Sequence, residues 1–130
     1  LAAADLIIVC PSNPVTSIGP LLAVPGIPRA LEAARAPVVG VSPIIGGTAV
    51  SGPAAALMRA QRLPVSPEGI AVAYAPWLNV LLVDRSDRAC VPALLAHGVA
   101  PVLADIVMRD RAGEIALARR LLEAAAEAAE

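Results

Sequence analysis

The 130-residue chain contains no lysine and no phenylalanine. Without a lysine amine it has neither a Schiff-base former nor a Walker-type phosphate clamp, which excludes both chemistries for this stretch. Its ten cationic side chains are all arginine, and against eleven acids they leave a formal net charge of −1. There is thus no basic footprint for nucleic acid and no acidic tail. His97 is the one histidine, so no histidine dyad can form. Cys10 and Cys90 stand alone without the CxxC spacing of a zinc or redox motif, and free thiols fit a reducing compartment.

Long hydrophobic runs are missing too. Hydrophobic residues make up 58% of the chain and the mean hydropathy is +0.73, yet prolines and charges interrupt every stretch well short of the ~18 residues of a membrane span. Residues 1–5 carry an acid and no basic segment ahead of the first apolar run, unlike a secretory leader. No membrane association and a cytoplasmic location are the default expectations. The absence of lysine beside abundant alanine and proline looks like the codon bias of a GC-rich bacterial genome. The apolar excess, with an opening Leu1 that enters a strand almost at once, suggests a fragment cut away from a covering neighbour.

What is present is an alternation. Residues 5–10, 38–42, 80–84 and 101–105 are short apolar runs rich in β-branched side chains, the pattern of strands buried on both faces. Between them lie helix signals. Residues 30–35 are helix formers stopped by Pro37, and residues 54–62 follow Gly52 and Pro53. Residues 67–75 open with Ser66 as N-cap, Pro67 at the first position and Glu68 favourable to the helix dipole. A short helix over residues 92–97 closes at Gly98, and from Asp110 the chain is expected to be helical to its end, docking through Ile115, Ala118, Leu122 and Ala125. Strands separated by helices imply right-handed crossovers and hence a single α/β domain over residues 1–130. The expected fold class is a Rossmann-like three-layer sandwich with a mostly parallel sheet of about four strands and flanking helices.

In such a sheet the carboxyl ends of the strands share one edge, where α/β folds bind ligands. The stretch over residues 11–20 leaves the first strand as a stiff polar loop. Ser12, Asn13, Thr16 and Ser17 offer neutral donors and acceptors, and Pro11, Pro14 and Pro20 fix the backbone. An ordinary connection whose polar side chains cap the next element remains the alternative. After the second strand come Ser42, Gly46, Gly47 and Gly52, where glycines permit close backbone approach to an anion; a structural turn explains them nearly as well. Asp84 and Asp87 suit a hard cation or a helix cap, and Asp105 suits a loop-orienting role. Tyr74 and Trp77, the only aromatics, either pack in the core or wall a ring pocket.

The order of these blocks resembles the 2-phospho-L-lactate transferase family. The blocks are residues 11–20, Pro25 to Ile27, Val41 to Gly47, Gly52 to Ala55, Leu57 with Met58, Ser66 ahead of residues 69–74, Val83 to Asp87, and Asp105 to Met108. The resemblance covers nearly the whole chain and places it in the C-terminal part of a longer enzyme, so that its fold is incomplete relative to the family's. It implies a magnesium-dependent step in making the deazaflavin coenzyme F-420. A phospholactate or phosphoenolpyruvate moiety moves from a guanosine-diphospho donor to the deazariboflavin acceptor Fo, releasing GMP. By the same resemblance Ser12, Asn13 and Ser17 belong to the substrate-binding loop, and Ser42, Gly46 and Gly47 to the loop beside it. No catalytic residue is assigned. The family's glycine-rich phosphate loop and its Mg2+- and acceptor-binding acids would lie upstream of Leu1, so this stretch alone is expected to be inactive. A non-catalytic nucleotide- or flavin-binding module and a structural α/β domain in an oligomer are the competing readings, and a homodimer is left open.

Overall fold

A computed structural model describes residues 1–128 of the chain. Four parallel strands form the sheet: β1 (Ile7–Val9), β2 (Val38–Val41), β5 (Val80–Asp84) and β6 (Ala100–Ala104), in the order β1-β2-β5-β6. A separate antiparallel hairpin, β3 (Ile44–Ile45) and β4 (Thr48–Ala49), rises from the loop after β2. Helices connect them: α1 (Gly19–Leu22) and α2 (Ile27–Glu32) after β1, α3 (Ala54–Ala60) and α4 (Pro67–Tyr74) after the hairpin, α5 (Val91–Ala96) after β5, and α6 (Arg111–Ala128) at the end. The expected sheet and its flanking helices are present. The continuation of α6 to Glu130 falls outside the described residues.

Strand periodicity divides the core in two. Val38, Leu81 and Val83 point to one face, where Leu31, Met58, Ile70, Tyr74 and Leu94 from the connecting helices cover them. Val39, Val41, Val80 and Leu82 point to the other, covered by Leu117, Leu121, Ala124 and Ala125 of α6. Burying a leucine of this kind is worth ~1.5–3 kcal/mol, so the two α6 leucines account for most of what holds that helix down. Gly40 sits in β2 because a side chain there would press on Leu78 and Leu81, 3.2 and 3.3 Å from an added Cβ. Asn79 ties the strand starts together: its Oδ1 accepts from the Val38 N–H at 2.7 Å, its N–H donates to the Val38 carbonyl, and its carbonyl accepts from the Ala100 N–H.

Three expectations change. β1 is not buried on both faces; it is the sheet edge, and Ile8 is 46% exposed. The docking face of α6 is the 117/121/124/125 stripe, so Ala125 is buried as expected while Ile115 and Leu122 are exposed. The stretch over residues 11–20 is largely helical, with one π-helical turn at Pro14–Ile18 running into α1. There the Ile18 and Gly19 amides reach back five residues, to the Asn13 and Pro14 carbonyls.

Candidate functional site at the carboxyl edge of the sheet

A crevice of about 480 Å³ opens at the carboxyl ends of the strands. Ser12, Asn13, Thr16 and Ser17 form one wall, Ser42 and the Val50 to Ala54 stretch the second, and Ile106 to Met108 after β6 the third. Its polar groups are uncharged hydroxyls, amides and backbone.

Asn13 organises the first wall. Pro14 behind it fixes the first helical φ, and Asn13 is the N-cap, its Oδ1 accepting from the Val15 N–H at 2.9 Å and the Thr16 N–H at 3.2 Å. That geometry fixes the side chain and leaves Nδ2 buried without a partner. A buried amide donor without an acceptor costs ~1–3 kcal/mol and calls for an explanation. Ser12 and Ser17 stand between this crevice and a neighbouring apolar cleft, lining both.

Ser42 lies in the second wall but is engaged locally: its Oγ donates to the Ile44 carbonyl at 2.8 Å and accepts from the Ile44 N–H at 3.1 Å. This bonding turns the chain from β2 into the hairpin. Gly46 and Gly47 form the tip of that hairpin with φ of 56° and 76°, the left-handed pair a two-residue turn requires. Neither lines the crevice. The Gly46 N–H donates to both carboxylate oxygens of Asp87, at 3.1 and 3.2 Å, so it is not free to receive a substrate anion.

The structure therefore brings Ser12, Asn13, Ser17 and Ser42 together and sets Gly46 and Gly47 apart. It adds Ser51, which falls within the stretch from Ser42 to Gly52 already expected at this edge, and Met108, which stands in the block Asp105 to Met108 without an assigned role.

The acids serve the backbone. Asp84 caps the 3-10 turn Arg85–Cys90, accepting from the Ser86 hydroxyl at 2.6 Å and the Ser86 N–H at 2.9 Å, and these two bonds hold its carboxyl below the usual carboxylate range. Asp87 is the hairpin latch, and Asp105 accepts from the Val107 N–H while pairing with Arg109 at 3.4 Å. Among the described residues no group of three or more His, Cys, Asp or Glu could hold a metal ion. No acid lines the crevice, so its side chains offer no carboxylate ligand for the Mg2+ implied by the resemblance, and no step is routed through it below. His97 ends α5, with Nε2 3.7 Å from Glu68 Oε1 at the surface. Tyr74 and Trp77 stack with ring centroids 4.9 Å apart in the core, and burial pushes the Tyr74 phenol well above its ordinary range. Cys90 is also raised, by burial and by the charges of Asp87 and Glu68. No helix among the described residues is long and apolar enough to cross a membrane.

A parallel α/β sheet with a polar crevice at its carboxyl edge defines a Rossmann-like protein, and it is outside the carboxyl ends of the strands that such sheets bind ligands. The sequence profile of the family described as 2-phospho-L-lactate transferase CofD matches residues 1–122, and the chain belongs to that family. It is 45% identical over 123 residues to a phosphoenolpyruvate transferase of Kitasatospora aureofaciens, a match covering 94% of this chain and 38% of that protein. It is 43% identical over 105 residues to a 2-phospho-L-lactate transferase of Methanococcoides burtonii, covering 81% of this chain and 34% of that protein. A phosphoenolpyruvate transferase of Streptomyces griseus is 39% identical over 128 residues, covering 98% of this chain and 40% of its own length. The chain thus spans well under half the length of these relatives.

Proposed function

We infer that this chain forms one wall of a transferase site in coenzyme F-420 biosynthesis. A phospholactate or phosphoenolpyruvate moiety passes from a guanosine-diphospho donor to the deazariboflavin Fo. In that reaction the acceptor hydroxyl attacks the phosphorus carrying the moiety. A new P–O bond forms, the hydroxyl proton is released, and the P–O bond to GMP breaks with its electron pair leaving on GMP. Because such a transfer spreads negative charge over phosphoryl oxygens, fixed donors that need no reorganisation are the protein's main contribution.

The observation that carries the reading is Asn13: a rigidly capped side chain on the crevice wall whose amide donor has no acceptor in the protein. In the proposed complex the hydroxyls of Ser12 and Ser17 donate to oxygens of the diphosphate, and the crevice wall parts enough for Asn13 Nδ2, closed to water in the unliganded chain, to do the same. Ser42, Gly46 and Gly47 act by shaping the opposing hairpin wall. Mg2+, the acceptor subsite and proton removal are assigned to residues beyond this stretch, so the chain alone is inactive. The test is GMP release with donor and Fo present. The isolated chain gives none, whereas a chimera in which it replaces the matched stretch of the Kitasatospora aureofaciens enzyme turns over. Release by the isolated chain would defeat the single-wall reading, and a folded chimera without release would defeat the transferase reading.

A further inference from the structure

The hairpin that leads into the second wall of the crevice is fastened at its base and at its tip. At the base Ile44 is buried in the core layer shared with α3 and α4, while Ile45 packs against the layer covered by α6, so the pair straddles the end of the sheet. The Val50 N–H donates to the Pro43 carbonyl at 3.0 Å where the hairpin passes into the Val50 to Ala54 wall. The tip is held from the neighbouring strand. β5 lies beside β2, and where β5 ends the Asp84 cap winds the chain into its 3-10 turn, which brings Asp87 to the hairpin tip with 7% of its surface exposed. Both carboxylate oxygens take the Gly46 N–H. Among the described residues that amide is the one hydrogen-bond donor to the Asp87 side chain, and no cation pairs with it. A buried carboxylate has to be compensated, and here the compensation comes from the hairpin, so the acid and the tip hold each other in place.

We propose that Asp87 is a positioning residue of the transfer reaction, acting through Gly46: the latch sets how the Val50 to Ala54 wall stands opposite the Asn13 wall, and hence how the diphosphate donor seats between them. This role rests on the transferase reading of the crevice. Asp87 does not line the crevice, so it acts on the donor through the hairpin and not by contact. Gly46 is joined to the wall by Gly47 and β4 alone, so a displaced tip carries the wall with it. A misplacement of about 1 Å costs on the order of 100-fold in rate, which makes a latch outside the crevice matter to the chemistry inside it. Shape and charge at Asp87 can be told apart. Asparagine has the same size and still presents an oxygen to the Gly46 N–H, so it keeps the tip where it is. Glutamate keeps the charge but is longer by one methylene, so it pushes the tip away.

Titration of GMP release by the chimera against the guanosine-diphospho donor tests it. Asp87→Ala and Asp87→Glu raise the donor KM about 10-fold or more, and Asp87→Asn stays within about 3-fold of the wild type. Leu121→Ala, a core change on α6, lowers the unfolding midpoint and leaves the KM unchanged, which separates positioning from loss of stability. Amide exchange reads the latch without turnover: Asp87→Ala speeds exchange at Gly46 and Val50 on the order of 10-fold, and Asp87→Asn does not. An active wild-type chimera whose Asp87→Ala variant keeps its KM overturns the proposal, as does unchanged exchange at Gly46. Where the alanine variant does not fold, the order of the other two decides, and a KM closer to wild type for glutamate than for asparagine overturns it. A folded wild-type chimera that releases no GMP strikes the transferase reading and this role with it.

Discussion

Asn13→Ser separates the two duties of Asn13. Serine caps as well as asparagine, so its hydroxyl keeps the acceptor for the Val15 and Thr16 amides at a cost of no more than a few tenths of a kcal/mol. The same change deletes the buried, unpartnered Nδ2, whose burial costs ~1–3 kcal/mol, partly offset by the contacts the amide group makes. The expected net result for the unliganded chain is a gain of about 0–1 kcal/mol, up to ~4 °C in Tm for a domain of this size. Asn13→Ala, losing the cap, should instead fall about 1 kcal/mol below serine. In the chimera the lost hydrogen bond to a charged phosphate oxygen is worth ~1.5–3 kcal/mol, so donor binding weakens about 10- to 100-fold. Urea unfolding of the isolated variants and calorimetric titration of the chimera with the guanosine-diphospho donor read both quantities. A serine variant as unstable as the alanine variant, binding donor like wild type, would refute the reasoning and return Asn13 to a purely structural cap.

On α6, Leu121→Ala should cost ~2–4 kcal/mol in urea unfolding and Leu122→Ala less than about 1, because only Leu121 faces the sheet; equal costs would restore the other face. Gly69→Ala should destabilise by ~1–3 kcal/mol despite alanine's better helix propensity, since its Cβ would meet the Pro64 carbonyl, backbone that cannot yield. A stabilised variant would show that Pro64 moves. Asp84 has its carboxyl held down by Ser86, so it stabilises the fold above the usual carboxylate range and loses that contribution as pH falls through its lowered value. Asp84→Asn should therefore flatten the acid limb of the stability-against-pH curve, slightly, because the group is largely solvated. An unchanged limb would contradict the capping role.

Much of the architecture was legible because apolar runs and prolines alternate so regularly. Strands β2, β5 and β6 and helices α3 and α4 fall within a residue or two of their expected limits, and Ser66 is the expected N-cap, its Oγ accepting from the Gly69 N–H. What failed had physical reasons. The run at β1 looks like a central strand because its composition suits a covered position, whereas its place at the sheet edge is set by topology that composition does not record. The α6 stripe is hard to see because alanines populate every face and blur the contrast that marks a docking side. Two-residue strands such as β3 and β4 carry too little pattern to predict, and a single π-helical turn has no propensity signal of its own.

The candidate site divides in the same way. The wall formed by Ser12, Asn13 and Ser17 was visible because proline spacing and polar side chains act locally. The Gly46 and Gly47 pair was visible as a special turn, but its duty was not. Its N–H is taken by Asp87, 41 residues away in sequence, and only the packed fold reveals that latch.

The most direct measurement is phosphorus NMR of the chimera bearing this chain, supplied with a guanosine-diphospho donor and Fo. The account predicts GMP and a new phosphodiester resonance appearing in equal amounts, only when Fo is present, and at a rate reduced by Asn13→Ser. A folded chimera that leaves the donor intact, or that releases GMP without Fo and without a phosphodiester product, would contradict it.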